Sequence, residues 1–255
     1  MFRRRIIIHS EFIASQTRVR AVLEDDFHHF RVELVSMNGV VSGISATAPR
    51  RPYSLCGNAV VQLDLLLGMT LSPIAHEVTR VTDPTEQCTH LLELTGLAIA
   101  AAARGTARRQ YDVEVPGRVD QRTQARLSRD GVPLLEWDVL DTVIQGPAPY
   151  TGMGLYQGMA RWALSTLSPD EAEAALVLRR ATGISKGRGM NLDAQIHAHP
   201  NGHCFSQQPR RATQALRMMG STWDFADRAG RLCLDDQDWL AFTDSDHGPI
   251  GLPAV

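Results

Sequence analysis

Apolar and polar side chains alternate along much of the first fifty residues, and a period of two predicts strands. Thr17 to Glu24 has this period, and so does His28 to Val35, where His28, Phe30, Val32 and Leu34 share one face. Asn38-Gly39 marks a hairpin turn, after which Val40 to Thr47 returns as the third strand of an antiparallel meander. The period then changes. From Gly57 to Leu67 the residues Ala59, Leu63, Leu66 and Leu67 recur at helical spacing, with Gly68 as the stop. Asp83-Pro84-Thr85-Glu86 supplies an N-cap, a proline at the first helical position and an acid in the first turn. This predicts a second helix that runs to about Gly105 and carries Cys88 in its second turn.

Strands are predicted again over Gln110 to Val115, Thr123 to Ser128 and Pro133 to Val139, the last two joined by the turn Asp130-Gly131. Packing helices are predicted over Gly154 to Leu167 and from Ser168-Pro169-Asp170-Glu171 to about Thr182, with a short helix over Pro209 to Met219. The fold class that follows is α+β: a mostly antiparallel sheet packed against several helices. We place a single domain over residues 1–226 and a weakly structured C-terminal tail over residues 227–255.

Composition narrows the function classes. With 255 residues, of which 44% are hydrophobic, the chain can bury a full core. A net charge of -2 gives no electrostatic reason to bind nucleic acid, and Arg3-Arg4-Arg5 and Arg210-Arg211 read as solvated surface. No uncharged apolar run approaches the roughly 18 residues a membrane helix needs, and Met1 to Ile8 is followed at once by His9, Ser10 and Glu11. The expectation is a cytoplasmic protein that meets neither membrane nor nucleic acid and takes a small-molecule substrate, with a homo-oligomer left open.

The candidate chemistry lies in residues far apart along the chain. Cys56 and Cys88 stand at or near predicted helix starts, where the helix dipole favours a thiolate able to bind metal or attack carbon. His28 shares the apolar face of its strand, so the three are expected to form one metal site. Each thiol alone is more often a small buried hydrophobe than a ligand, and it is the three together that point to a site. His90 and Glu93, three apart, are assigned to a different helix face and read as a surface ion pair, with a catalytic acid and base as the alternative. His197, His199, His203 and Cys204 lie in a loop-rich stretch that we read as a lid. Tyr53, Tyr111 and Trp137 are expected in the core or the pocket wall. Gly-x-Gly-x-x-Gly, Walker, His-Glu-x-x-His, Gly-x-Ser-x-Gly and Cys-x-x-Cys patterns are all missing from the sequence, so nucleotide binding and the commonest hydrolase and redox signatures lack support.

Pro52-Tyr53-Ser54-Leu55-Cys56, Gly68, and Cys88-Thr89-His90-Leu91 followed by Glu93 resemble a bacterial family known only as a domain of unknown function. The resemblance spans most of residues 1 to about 226, including Cys204-Phe205 and Ala215 to Phe225. A more distant likeness, over about residues 17 to 104, is to the iron-sulfur cluster scaffold proteins. It rests on three antiparallel strands, the helix opening Cys56-Gly57-Asn58-Ala59, and a later cysteine on the alanine-rich helix from Cys88 to Ala103. It implies that His28, Cys56 and Cys88 occupy the scaffold's ligand positions, with Asp26 or His29 as a fourth group. One histidine and two cysteines suit zinc with an open position better than a transferable cluster.

The leading expectation is therefore a zinc-dependent lyase that cleaves a C-C or C-O bond in a small organic substrate, with His29, Asp26 or Tyr53 as proton carriers. A hydrolase using zinc-bound water is the second expectation. A non-catalytic carrier of metal, sulfur or an iron-sulfur cluster is the third, and an acid-base enzyme without a cofactor, its cysteines merely packing the core, is the fourth.

Overall fold

The computed structural model describes residues 1–242, which form an α+β fold built on one eight-stranded antiparallel sheet. The strands are β1 (Phe2–Ile13), β2 (Gln16–Asp25), β3 (His29–Met37), β4 (Val40–Arg50), β5 (Arg108–Val115), β6 (Arg122–Arg129), β7 (Val132–Leu140) and β8 (Val143–Gly146). Their order across the sheet is β4-β3-β2-β1-β5-β6-β7-β8, so two four-stranded meanders meet along the β1–β5 seam. The turns read from sequence are present. Asn38 and Gly39 both take positive φ between β3 and β4, and Asp130 and Gly131 do so between β6 and β7.

Strand β1 has no counterpart among the predicted elements, although it is central. Ile6, Ile7 and Ile8 follow Arg3, Arg4 and Arg5, and this block pattern hides the alternation. The arginines are not the solvated surface expected of them. Strand alternation sends Arg4 into the core with Phe2, Ile6 and Ile8, where its guanidinium is fully buried against Asp25. Arg3 and Arg5 project to the other face and pair with Glu114 and Asp112 of β5.

The longer helices lie over one face of the sheet. Ser54–Leu66 winds as a 3-10 helix beside β4 and buries Cys56, Ala59, Leu63 and Leu66. The short helix α1 (Val78–Val81) leads to α2 (Thr89–Arg104), which packs on β1, β2 and β3. A break at Gln87 separates the turn Pro84–Glu86 from α2, so Cys88 is the N-cap of α2 rather than a second-turn residue. Gly96 lets the 75–78 segment cross α2 closely, since a Cβ there would stand 2.2 Å from the Ala75 carbonyl oxygen. Beyond the sheet's second half come α3 (Met159–Thr166) and α4 (Pro169–Ile184), the latter opened by a capping box of Ser168 and Glu171 and seated on β5, β6 and β7. Of the helix expected from Pro209, one turn forms, α5 (Pro209–Ala212).

The other face of the sheet is covered near its centre by residues 223–242. The segment expected to be a weakly structured tail carries the turns Ala229–Arg231 and Leu234–Asp236 and the short helix α6 (Gln237–Leu240), and it buries Cys233 and Leu240 against Ile7 and Val22. Residues 243–255 of that predicted tail lie outside the described residues. Among the described residues, no helix is long and apolar enough to cross a membrane.

Candidate functional site

The connection from β2 to β3 builds the centre of the site. Asp25 ends β2, and its Oδ1 accepts hydrogen bonds from the backbone amides of Phe27 and His28, both at 2.8 Å. This closes the tight turn that brings His28 back beneath it. The Oδ2 accepts from Nε and Nη2 of Arg4 at 2.9 and 2.5 Å. Burial opposes ionisation of Asp25, but His28 and Arg4 beside it prevail and hold its carboxyl well below the usual carboxylate range.

An ionised carboxylate only accepts, so the 3.0 Å contact between Asp25 Oδ1 and His28 Nδ1 has the imidazole as donor. Whenever the ring is neutral, this hydrogen bond keeps the proton on Nδ1 and leaves the lone pair on Nε2, at the other edge of a ring that lines a cavity of about 900 Å³. The His90 ring stacks on His28, with centroids 3.9 Å apart and planes 29° apart. Burial first, then the neighbouring His28 and Arg4, hold the His90 imidazole well below its ordinary pKa, so it is neutral. His90 Nε2 is buried with no hydrogen-bond partner, and so is Glu93 Oε2 one turn along α2. The other oxygen of Glu93 lies 3.0 Å from Arg180 Nε of α4.

His28, Tyr53, Cys56 and Cys88 all line this cavity, which spans the space among α2, α4 and the 3-10 helix. They do not make a compact ligand set. Among the described residues, the groups whose ligating atoms all lie within 4.8 Å of one another are Asp25, His28 and His90, and separately Glu24, His29 and Asp236. His28 thus shares its close cluster with an aspartate and a histidine rather than with the two thiols. Nor are the thiols activated as expected from their place at helix starts. Burial pushes up the pKa of Cys56 and of Cys88, and desolvation outweighs the dipole of α2 at its N-cap. Cys204 joins them in the cavity wall and is pushed up to about 11, again by burial. Cys56 accepts a hydrogen bond from the Ser206 hydroxyl at 3.4 Å.

The other expected proton carriers are dispersed. His29 follows His28 in sequence, so it projects to the opposite face, where Nε2 lies 3.0 Å from Asp236 and helps hold the C-terminal segment. Asp26 is buried outside the cavity under Phe225, with Arg188 Nη1 3.3 Å from its Oδ2. Burial raises its pKa to about 7. Tyr53 does face the cavity, where its hydroxyl donates to Gln195 Oε1 at 3.0 Å and burial raises its pKa. Tyr111 and Trp137 are fully buried, as expected of core aromatics. His203 and Cys204 line the cavity, and their loop is seated by the Phe205 amide on the Gln87 carbonyl oxygen at 2.9 Å.

Asp25, His90 and Glu93 belong to the site, although the sequence pattern does not assign them to it. The signal for Asp25 is an acid three residues before His28 at a hairpin turn, together with an arginine inside an apolar run. Counting Cys88 as helical puts it on a face apart from His90 and Glu93, whereas it is the extended N-cap of α2. With the α-helix beginning at Thr89, Cys88, His90 and Glu93 all reach the same cavity.

Residues 9–104 match a protein family described as "Protein of unknown function (DUF2889)". The matched stretch contains Asp25, His28, Tyr53, Cys56, Cys88, His90 and Glu93, and stops short of α4. No curated protein and no solved structure matches the chain.

Proposed function

We propose that the chain is an enzyme of lyase type that acts on a small organic molecule held in the cavity, with His28 Nε2 as the atom that takes up a proton. The observation that carries this reading is the Asp25–His28 pair at the cavity wall, 3.0 Å apart, in which the carboxylate fixes the ring and its tautomer. Removal of a proton from a substrate hydroxyl, or from a C–H next to a carbonyl, allows the neighbouring C–C or C–O bond to break. The departing group then collects a proton, and the Tyr53 hydroxyl, which burial keeps protonated, is a donor within the same cavity.

The test does not require the substrate to be identified first. A panel of hydroxy acids and β-hydroxycarbonyl compounds is incubated with the protein in D₂O and followed by proton NMR, which reports both deuterium uptake and bond cleavage. The expected result is turnover or exchange of at least one member, lost by about 10²-fold or more in His28→Ala, the scale typical of a general base. A panel left untouched, or changed equally by His28→Ala, refutes the proposal.

A second reading is favoured by one observation, the buried and unpartnered Nε2 of His90. A divalent ion such as zinc, held by His28 and His90 with Asp25 as the ring-orienting carboxylate, gives that nitrogen a partner and supplies a Lewis acid for lyase or hydrolase chemistry. The stacked rings argue against it, since their in-plane lone pairs run nearly parallel and do not converge on one ion. Elemental analysis decides between the two. One zinc per chain, lost in both His28→Ala and His90→Phe, selects the metal; iron with sulfide and a visible absorption band selects a cluster carrier instead.

A further inference from the structure

Part of the cavity wall is formed by α4 and residues 74–79, and the arginines there are not all matched by acids. Arg179 and Arg180 both line it. Arg180 is matched by Glu93. Arg179 has only neutral partners: its Nε donates to the Leu155 carbonyl oxygen and its Nη2 to that of Tyr156 at 3.3 Å. Among the described residues, no carboxylate stands within ion-pair distance of it, and its Nη1 has no hydrogen-bond partner. His76 on the same wall adds no further positive charge, since burial and the surrounding Arg180, Arg179 and Arg80 lower its pKa. The remaining acid on this wall, Glu173, is engaged by Arg104 Nη1 at 3.0 Å and by the Tyr111 hydroxyl at 2.5 Å.

Arg179 thus brings a half-buried guanidinium with no anion in ion-pair range to a cavity whose wall also includes Phe30, Leu92, Leu97, Leu164, Val177 and Ile184, and an anionic ligand group there would supply the missing charge. We infer that Arg179 is a binding residue for the substrate's single carboxylate, and that the substrate is a monocarboxylic acid with an apolar body of aromatic size lying between Arg179 and the stacked His28–His90 pair. A monoanion is preferred over a phosphate because one guanidinium lacks an acidic partner, while the second is already matched by Glu93. The planar fork of arginine also suits the two oxygens of a carboxylate. This inference deepens the proposed lyase reading by naming its substrate class, and it rests on that reading for the word substrate, though binding can be measured without any reaction.

The test is calorimetric titration of the full chain with 3-phenylpropionate, its neutral amide and phenyl phosphate. The carboxylate is expected to bind at least about tenfold more tightly than either of the others, and Arg179→Met is expected to erase that preference while leaving the amide's affinity unchanged. Arg179→Lys, which keeps the charge but loses the fork, is expected to fall between the two and serves as the folded control, checked by circular dichroism. Binding is read here without turnover, so a carboxylate preference that depends on Arg179 in a protein that exchanges and cleaves no panel member leaves this inference standing while the proton-transfer reading fails. Equal affinity for acid and amide, tighter binding of the phosphate, absence of binding by all three, or an unchanged preference in a folded Arg179→Met overturns the inference.

Discussion

His28 and His90 lie face to face at 3.9 Å, and only one of them is tied to a carboxylate. That asymmetry separates their roles. Asp25 gives His28 a fixed tautomer and an anionic neighbour, whereas His90 packs as a neutral ring whose outer nitrogen meets no partner among the described residues. Replacing His90 by Phe preserves the stack and removes a buried, unsatisfied atom. The expected stability of His90→Phe in urea is therefore no more than about 1 kcal/mol below wild type. A larger loss means that Nε2 has a partner in solution.

Asp25 and Arg4 are both fully buried and form one unit. Asp25→Asn leaves the buried Arg4 guanidinium with only the more distant Glu93 Oε2, 3.8 Å from its Nη1, and is expected to lose about 3–5 kcal/mol, and Arg4→Leu a comparable amount. The double variant Arg4→Leu/Asp25→Asn is expected to lose clearly less than the sum, as measured by a denaturant double-mutant cycle. Strict additivity contradicts the pairing.

Gly96 reverses an ordinary rule. Gly to Ala inside an exposed helix usually gains about 1 kcal/mol, but here the new methyl meets the Ala75 carbonyl oxygen at 2.2 Å. Gly96→Ala is expected to lower the melting temperature and to displace the 75–78 wall of the cavity. A raised melting temperature shows that the crossing has room for a methyl group.

Glu173 is buried beneath Tyr111, and burial raises its carboxyl pKa above the ordinary value despite the Tyr111 hydrogen bond and the nearby Arg104 and Arg109. A carboxyl whose pKa is higher in the folded than in the unfolded chain binds its proton more tightly when folded. Its contribution is present in full below the unfolded value, about 4.3, and is lost as pH rises through the folded one. Glu173→Gln is expected to flatten that decline in a pH series of urea melts. An unchanged slope assigns the decline to other groups.

Burial raises the pKa of all three cavity thiols and of Cys233. Iodoacetamide at pH 8 is expected to label the folded protein slowly and all four cysteines once urea is added. Rapid labelling of Cys56 or Cys88 in the native state restores the activated-thiol reading.

Much of the fold is legible where one periodicity runs unbroken. The meander from Thr17 to Thr47, the hairpin at Asp130-Gly131 and the capped start at Ser168 all appear where local pattern and turn chemistry agree. What escapes is decided by contacts between distant segments. Arg4 is buried only because Asp25 meets it across β1 and β2, and nothing in the run Arg3-Arg4-Arg5 announces that partner. His29 is expected beside His28 in the site, but strand alternation alone is enough to place it on the other face. The gathering of His28, Tyr53, Cys56 and Cys88 around one cavity follows the sequence pattern. Which of them come within bonding range does not, because that depends on where α2 begins, and a break at Gln87 shifts it by several residues.

The position of β1 between β2 and β5 shapes how the molecule is made. A ribosome delivers β1 to β4 and α2 before residues 108–115 exist, so during that interval β1 is a bare edge of a half-built sheet. On the face away from the helices that strand carries Arg3 and Arg5, and like charges on an unpaired strand discourage an identical strand from pairing with it. When β5 emerges it brings Asp112 and Glu114 opposite those same arginines, so the guard against mispairing becomes the fastening of the finished seam.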